Sequence, residues 1–342
     1  MTRVLVTGAT GFLGAHVLAA MSAHADVEVI AAARSPHRVP EWFPGEIRAG
    51  DLTDPSYRAT VLQGIDVVLH AGTWSTFWGH ARQERRLFLE PTLDFLDRAV
   101  AAGVSRVAVA NTVAVSTPAA PGDTVPDDAP AVRRGFWPHL DALAAVERHM
   151  ERVAGDTQMM SMRLGHFIGA GNSLGLVPAL IPRLKTGLVP WIDHGRAHMP
   201  LVSGDDMGRA FAQAAVAPSE HAFESINVVG PEQPTMREVF GFIATHADVN
   251  PSRYSVPRGA AMAFARVMEA AHPLTPARAP FLTRSLVHVA QNWHAETAAA
   301  TRLGIEPTTA WQDAVLESID ERRAMGFAWP SLAQSAAPVA AK

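Results

Sequence analysis

Cysteine is absent from the 342 residues, which excludes disulfides, thiolate nucleophiles and zinc–thiolate sites. Lysine is nearly absent: Lys185 and Lys342 are the only two, beside two tyrosines, Tyr57 and Tyr254. Chemistry that requires a Tyr or a Lys therefore has few places to sit. An excess of one charge is missing as well. Lys plus Arg number 29 against 33 for Asp plus Glu, a formal net charge of −4, and no basic patch or charged tail stands out. Nucleic acid and anionic membrane are thus not expected partners. No apolar run is long enough to span a bilayer. The N-terminus enters Arg3-Val4-Leu5-Val6 without a basic-then-apolar leader, so a cytoplasmic protein is expected. What is present is ordinary globular material, 48% hydrophobic and 18% charged, with enough chain to bury a sizeable core.

Along the chain, short apolar runs alternate with helical patterns. Val4-Leu5-Val6-Thr7 reads as a strand, a glycine-rich turn follows, and residues 16–21 repeat apolar positions at helical spacing. Further strands are expected at 27–33, 67–70, 107–110 and 160–164, with a long helix over 83–102. Pro138 opens another helix to about 153, because a proline at the first helical position loses no hydrogen bond. Strands that are mostly apolar and separated by helices imply α/β architecture, a Rossmann-type doubly wound parallel sheet covered on both faces. After Gly165 the rhythm breaks into Gly/Pro-rich stretches, which suits a smaller C-terminal substrate lobe. The expected division is 1–168 for the dinucleotide-binding domain, with 198–230 returning to pack on it. Residues 169–330 would form the lobe and 331–342, rich in Ala, Ser and Pro, a disordered tail.

Gly8-Ala9-Thr10-Gly11-Phe12-Leu13-Gly14 lies between the first strand and first helix. Glycines there let backbone approach a pyrophosphate, whose charge the helix N-terminus favours. A site selecting NAD places a carboxylate at the end of the second strand. Here Ala33 is followed by Arg34, with His37 and Arg38 close behind. A guanidinium suits a 2′-phosphate, so NADP(H) is the expected cofactor.

Thr7 to Gly14 resembles the opening of the extended short-chain dehydrogenase/reductase superfamily. Gly50-Asp51-Leu52-Thr53, His70-Ala71-Gly72, Arg163 with Gly169, and Asp205-Asp206-Met207 match in the same order. The resemblance covers about residues 1–325. It implies that Asp51 and Leu52 contact adenine, that His70, Ala71 and Gly72 lie along the cofactor, and that the helices near 83–102 and 138–153 pair two subunits into a homodimer. The family's acid/base is a Tyr with a Lys four residues later, plus a Ser or Thr at the preceding strand end. The hydroxyl positions a carbonyl, the Tyr exchanges a proton with it, and the Lys lowers the Tyr pKa. Thr112 matches the Ser/Thr, and a plain capping role is its blander reading. If Glu147 ends the motif, the Lys position falls on Leu143 and the Tyr position on His139. The Tyr-Lys pair is absent.

His139 shares a helix face with Leu143 and Glu147, and an imidazole suits proton transfer. His166 falls where the family places a substrate-facing Asn. Trp74, Phe77 and Trp78 follow the fourth-strand turn, where the family lines its substrate site, and Trp137 and Trp191 could join them. Asp193-His194-Gly195-Arg196-Ala197-His198 is not expected to hold a metal, lacking further ligands. The expected function is an NADP(H)-dependent oxidoreductase. It would act on a carbonyl or an activated C=C or C=N bond of an apolar small molecule of polyketide-, terpenoid- or steroid-like character. Thr112, His139 and His166 are its candidate catalytic residues. The alternatives are a non-redox cyclase, isomerase or dehydratase, and a non-catalytic NADP-binding protein.

Overall fold

The computed structural model describes residues 1–172, 175–274 and 279–324, so the expected tail at 331–342 lies outside the described residues. In chain order the first half runs β1 (Thr2–Thr7), α1 (Phe12–Ser22), β2 (Val27–Ala33), β3 (Glu46–Ala49), α2 (Pro55–Thr60), β4 (Val67–His70), α3 (Ala81–Glu84), α4 (Glu90–Ala101), β5 (Arg106–Thr112), α5 (Pro138–Val153) and β6 (Gln158–Leu164). The second half runs β7 (His166–Ile168), α6 (Leu176–Lys185), β8 (Trp191–Ile192), β9 (Leu201–Ser203), α7 (Gly204–Val216), β10 (Phe223–Val228), α8 (Met236–His246), β11 (Ser255–Val256), α9 (Arg258–Ala271), α10 (Arg284–Val289), α11 (Ala298–Arg302) and α12 (Trp311–Ala324).

Seven strands form one sheet in the order β10-β6-β5-β4-β1-β2-β3, and every neighbouring pair is parallel. Side chains alternate across it. Val4 and Val6 pack on the side of α1 and α7, whereas Leu5 packs with Val68, Phe95 and Leu140 toward α4 and α5. A third buried cluster, including Ile168, Leu180, Trp191, Phe240 and Trp311, builds the smaller lobe. The chain leaves the sheet after β6 and comes back at α7, which packs along α1, and at β10, which pairs with β6.

Proline opens α5 at Pro138 as the sequence suggests. The helix expected over 83–102 begins earlier, at Ala81, and is interrupted by a π-helical turn at Arg85–Leu89 before α4. Two left-handed residues, Gly79 and His80, set the start of α3. Strand order runs outward in opposite directions from β1 and β4, so a crevice opens between their carboxyl ends. Among the described residues, no helix is long and apolar enough to cross a membrane.

Candidate active site

The turn after β1 is shaped by close approach. Gly8 has φ +66°, and a Cβ on it would lie 2.6 Å from the Gly72 nitrogen. A Cβ on Gly14 would lie 2.1 Å from the Gly8 oxygen. The turns after β1 and β4 are therefore pressed together, and Thr7 fastens them. Its Oγ1 lies 2.8 Å from His70 Nδ1 and accepts a 3.3 Å bond from the Gly72 N–H. His70 is buried and its Nε2 has no partner among the described residues; desolvation pushes its pKa down to about 4. A ring this enclosed offers a cofactor only the backbone that it holds in place.

Gly11 stands at the N-cap of α1, and no side chain caps that end. The Gly11 N–H donates to the Gly8 oxygen and Ala15 N–H to the Gly11 oxygen, which leaves the amides of Phe12, Leu13 and Gly14 without backbone acceptors. Three uncapped amides at a helix N-terminus, approached through glycines, fit a pyrophosphate. At the far end, Arg34 follows β2 with its side chain 72% exposed, 3.7 Å from Asp51 Oδ2. Asp51 also accepts from the Thr53 N–H, and Leu52 packs against the second core cluster.

Beyond the crevice, Thr112 ends β5 opposite Leu164 of β6. Its hydroxyl accepts from the Ala114 N–H at 3.3 Å, the capping arrangement, and keeps its own hydrogen to donate. His166, two residues past β6, is partly accessible and makes no ring hydrogen bond among the described residues. Its surroundings push its pKa down to about 4, so the ring is neutral at ordinary pH and is a poor proton donor.

His139 lies in the first turn of α5, 7% exposed, with Phe88 against its ring. Its Nδ1 is 2.9 Å from Oε1 of Glu84, a carboxylate 2% exposed. Nε2 makes no hydrogen bond among the described residues. One turn on, Leu143 is buried in the core and supplies no charge. Glu147 is engaged elsewhere: it accepts from Asn111 Nδ2 at 2.8 Å, Ser161 Oγ at 2.6 Å and Arg163 Nε at 3.0 Å, with a further bond from Arg163 Nη2. That ion pair bolts α5 to β5 and β6.

The aromatic residues divide. Phe77 stacks on Trp137 at 5.5 Å between centroids, Trp137 Nε1 donates to the Thr76 carbonyl, Trp74 meets His80, and Trp78 meets His272 edge-on. Trp191 does not join them. It lies in the smaller lobe's core, donating to the Ser252 carbonyl beneath Arg237. Reasoning from sequence missed Glu84 and His288. His288 stands 3.1 Å from the Ala114 carbonyl and packs by Phe136, Trp137 and Trp293, and desolvation pushes its pKa down to about 4. Neither carries a local signal, since their partners are 55 and 174 residues away.

The family model for the NAD dependent epimerase/dehydratase family matches residues 4–229. The chain belongs to that family. The expected superfamily is thereby confirmed, as is the Rossmann-like fold, which solved structures share over almost the whole chain. The protein gox2253 is 20% identical with a TM-score of 0.75, over 96% of this chain and 99% of its own. MoeE5 in complex with UDP-glucuronic acid and NAD is 21% identical, with a TM-score of 0.70 over 94% and 99%. The UDP-glucuronic acid 4-epimerase of Bacillus cereus in complex with NAD is 16% identical, with a TM-score of 0.71 over 95% and 99%. No curated protein matches the sequence. Family membership supports a nicotinamide dinucleotide as cofactor.

Proposed function

We propose that this family member is an NADP(H)-dependent oxidoreductase acting on a carbonyl or an activated C=C or C=N bond of an apolar small molecule. The observation that carries the reading is His139 at the tyrosine position, held by Glu84 through Nδ1 with Nε2 open. In the reductive direction His139 delivers a proton from Nε2 to the acceptor atom of the substrate; in the oxidative direction Nε2 takes that proton. The bound nicotinamide supplies or receives the hydride. Thr112 donates its hydroxyl hydrogen to the same acceptor, and Trp74, Phe77, Trp78 and Trp137 give the substrate an aromatic wall.

Selection of NADP(H) rests on Arg34. Its contact with Asp51 is a long, exposed ion pair that contributes little, so the guanidinium can turn to a 2′-phosphate. Calorimetric titration should show NADPH binding more tightly than NADH. Arg34→Ala should lower NADPH affinity roughly 10- to 100-fold, the worth of a charge-assisted hydrogen bond, and leave NADH unchanged. Equal affinities in the unaltered protein would refute the NADP(H) assignment. His139→Ala should abolish the reduction of acceptors followed by nicotinamide absorbance, and undiminished turnover would refute the proton assignment.

The structural neighbours favour a second reading. Several are UDP-sugar epimerases bound to NAD, so the same residues could serve a reaction in which oxidation and reduction cancel. Product formation without change in nicotinamide absorbance would select that reading.

A further inference from the structure

We infer that Glu84 is a positioning residue that fixes the tautomer of His139 and steadies its protonated form, an assignment that rests on the proton-transfer reading above. An ionised carboxylate can only accept, so the hydrogen on the 2.9 Å line between Glu84 Oε1 and His139 Nδ1 belongs to the ring. The neutral imidazole then carries its lone pair on Nε2, the nitrogen without a protein partner. When Nε2 takes a proton, its N–H bond forms and the substrate O–H bond breaks. The ring becomes a cation beside a buried carboxylate, the role that an acidic partner plays toward a catalytic histidine generally.

Stability does not explain the pair. Glu84 Oε2 is buried with no hydrogen-bond partner among the described residues, and a half-satisfied buried carboxylate costs free energy that an apolar residue in its place would not. The backbone is also unusual. Glu84 is the last residue of α3, which starts from left-handed Gly79 and His80 and runs into the π-helical turn at Arg85–Leu89. Such turns frequently accompany functional sites. This one begins directly after Glu84 and carries Phe88, and both residues meet His139. Leu143 leaves α5 without a charge to influence His139 along its own helix, and the carboxylate arrives instead from a neighbouring one.

Nitrogen NMR of the ring in the cofactor-free protein tests this directly, with the His139 signal assigned by its loss in His139→Ala. The unaltered protein should show the Nδ1–H tautomer, and Glu84→Ala should shift the population toward Nε2–H. An Nε2–H ring in the unaltered protein, or a tautomer indifferent to Glu84→Ala, overturns the assignment. The isosteric Glu84→Gln guards against a folding artefact. With an acceptor that the unaltered enzyme reduces, it should lower kcat about 10²- to 10⁴-fold, the span of general acid–base catalysis, with KM and NADPH affinity unchanged. Full turnover in Glu84→Gln while His139→Ala is inactive refutes the role of Glu84 alone. Full turnover in both refutes the underlying proton-transfer reading.

Discussion

Glu147→Ala should cost this protein about 3–5 kcal/mol, the penalty for removing one partner of a buried ion pair. The structure says why the upper part of the range applies. Arg163 is 1% exposed, and after the truncation its guanidinium keeps only the carbonyls of Asp127 at 3.0 Å and Ala129 at 2.6 Å. Asn111 loses a charged acceptor at 2.8 Å and Ser161 one at 2.6 Å. At about 2.1 cal/mol/K per residue, 342 residues unfold with roughly 0.7 kcal/mol/K, so a 4 kcal/mol loss lowers the midpoint by about 5–6 °C. Urea unfolding followed by tryptophan fluorescence measures it. Removing both charges, as Glu147→Leu with Arg163→Met, should cost less than Glu147→Ala alone, because no uncompensated charge is left behind. A loss below about 1 kcal/mol for Glu147→Ala, the level of an exposed pair, would refute the reasoning.

Mild acid should destabilise the fold through its buried imidazoles. Buried His70 and His288 have pKa values pushed down to about 4 and bind no proton when folded, whereas the unfolded chain takes them up below about pH 6.5. Stability is therefore full above pH 6.5 and falls between there and 4, by up to about 3 kcal/mol for each. Unfolding curves across that range check it, and a flat profile would contradict it. Gly8→Ala forces a Cβ onto the Gly72 backbone in a left-handed conformation. It should cost 2 kcal/mol or more and weaken dinucleotide binding in a calorimeter together with the thermal midpoint.

The parts of the molecule visible in the sequence are those governed by neighbours along the chain. The glycine turn, the proline at the head of α5 and the uncharged Leu143 all follow from spacing. His139 could be placed because it sits eight residues before Glu147 on one helix. What it touches could not, since Glu84 reaches it from a segment whose register depends on a π-helical turn with no sequence signature. Trp191 illustrates the converse. Its residue type suits a pocket wall as well as a core, and only its packing against Phe240 and Arg237 decides. Likewise the Thr112 hydroxyl was expected either to cap or to orient a substrate, and its bond to the Ala114 amide shows how one atom can accept for the first purpose and still donate for the second.

The detour through the smaller lobe also sets an order of events during synthesis. β6 emerges from the ribosome as an open edge, and its partner β10 follows only about sixty residues later. At ordinary elongation rates that interval lasts roughly 3–12 s. Throughout it the backbone of Met159, Ser161 and Arg163 presents unpaired donors and acceptors along the strand, the kind of edge that recruits a strand from another chain. Chains stalled or cut before residue 223 should therefore aggregate where the full-length protein does not.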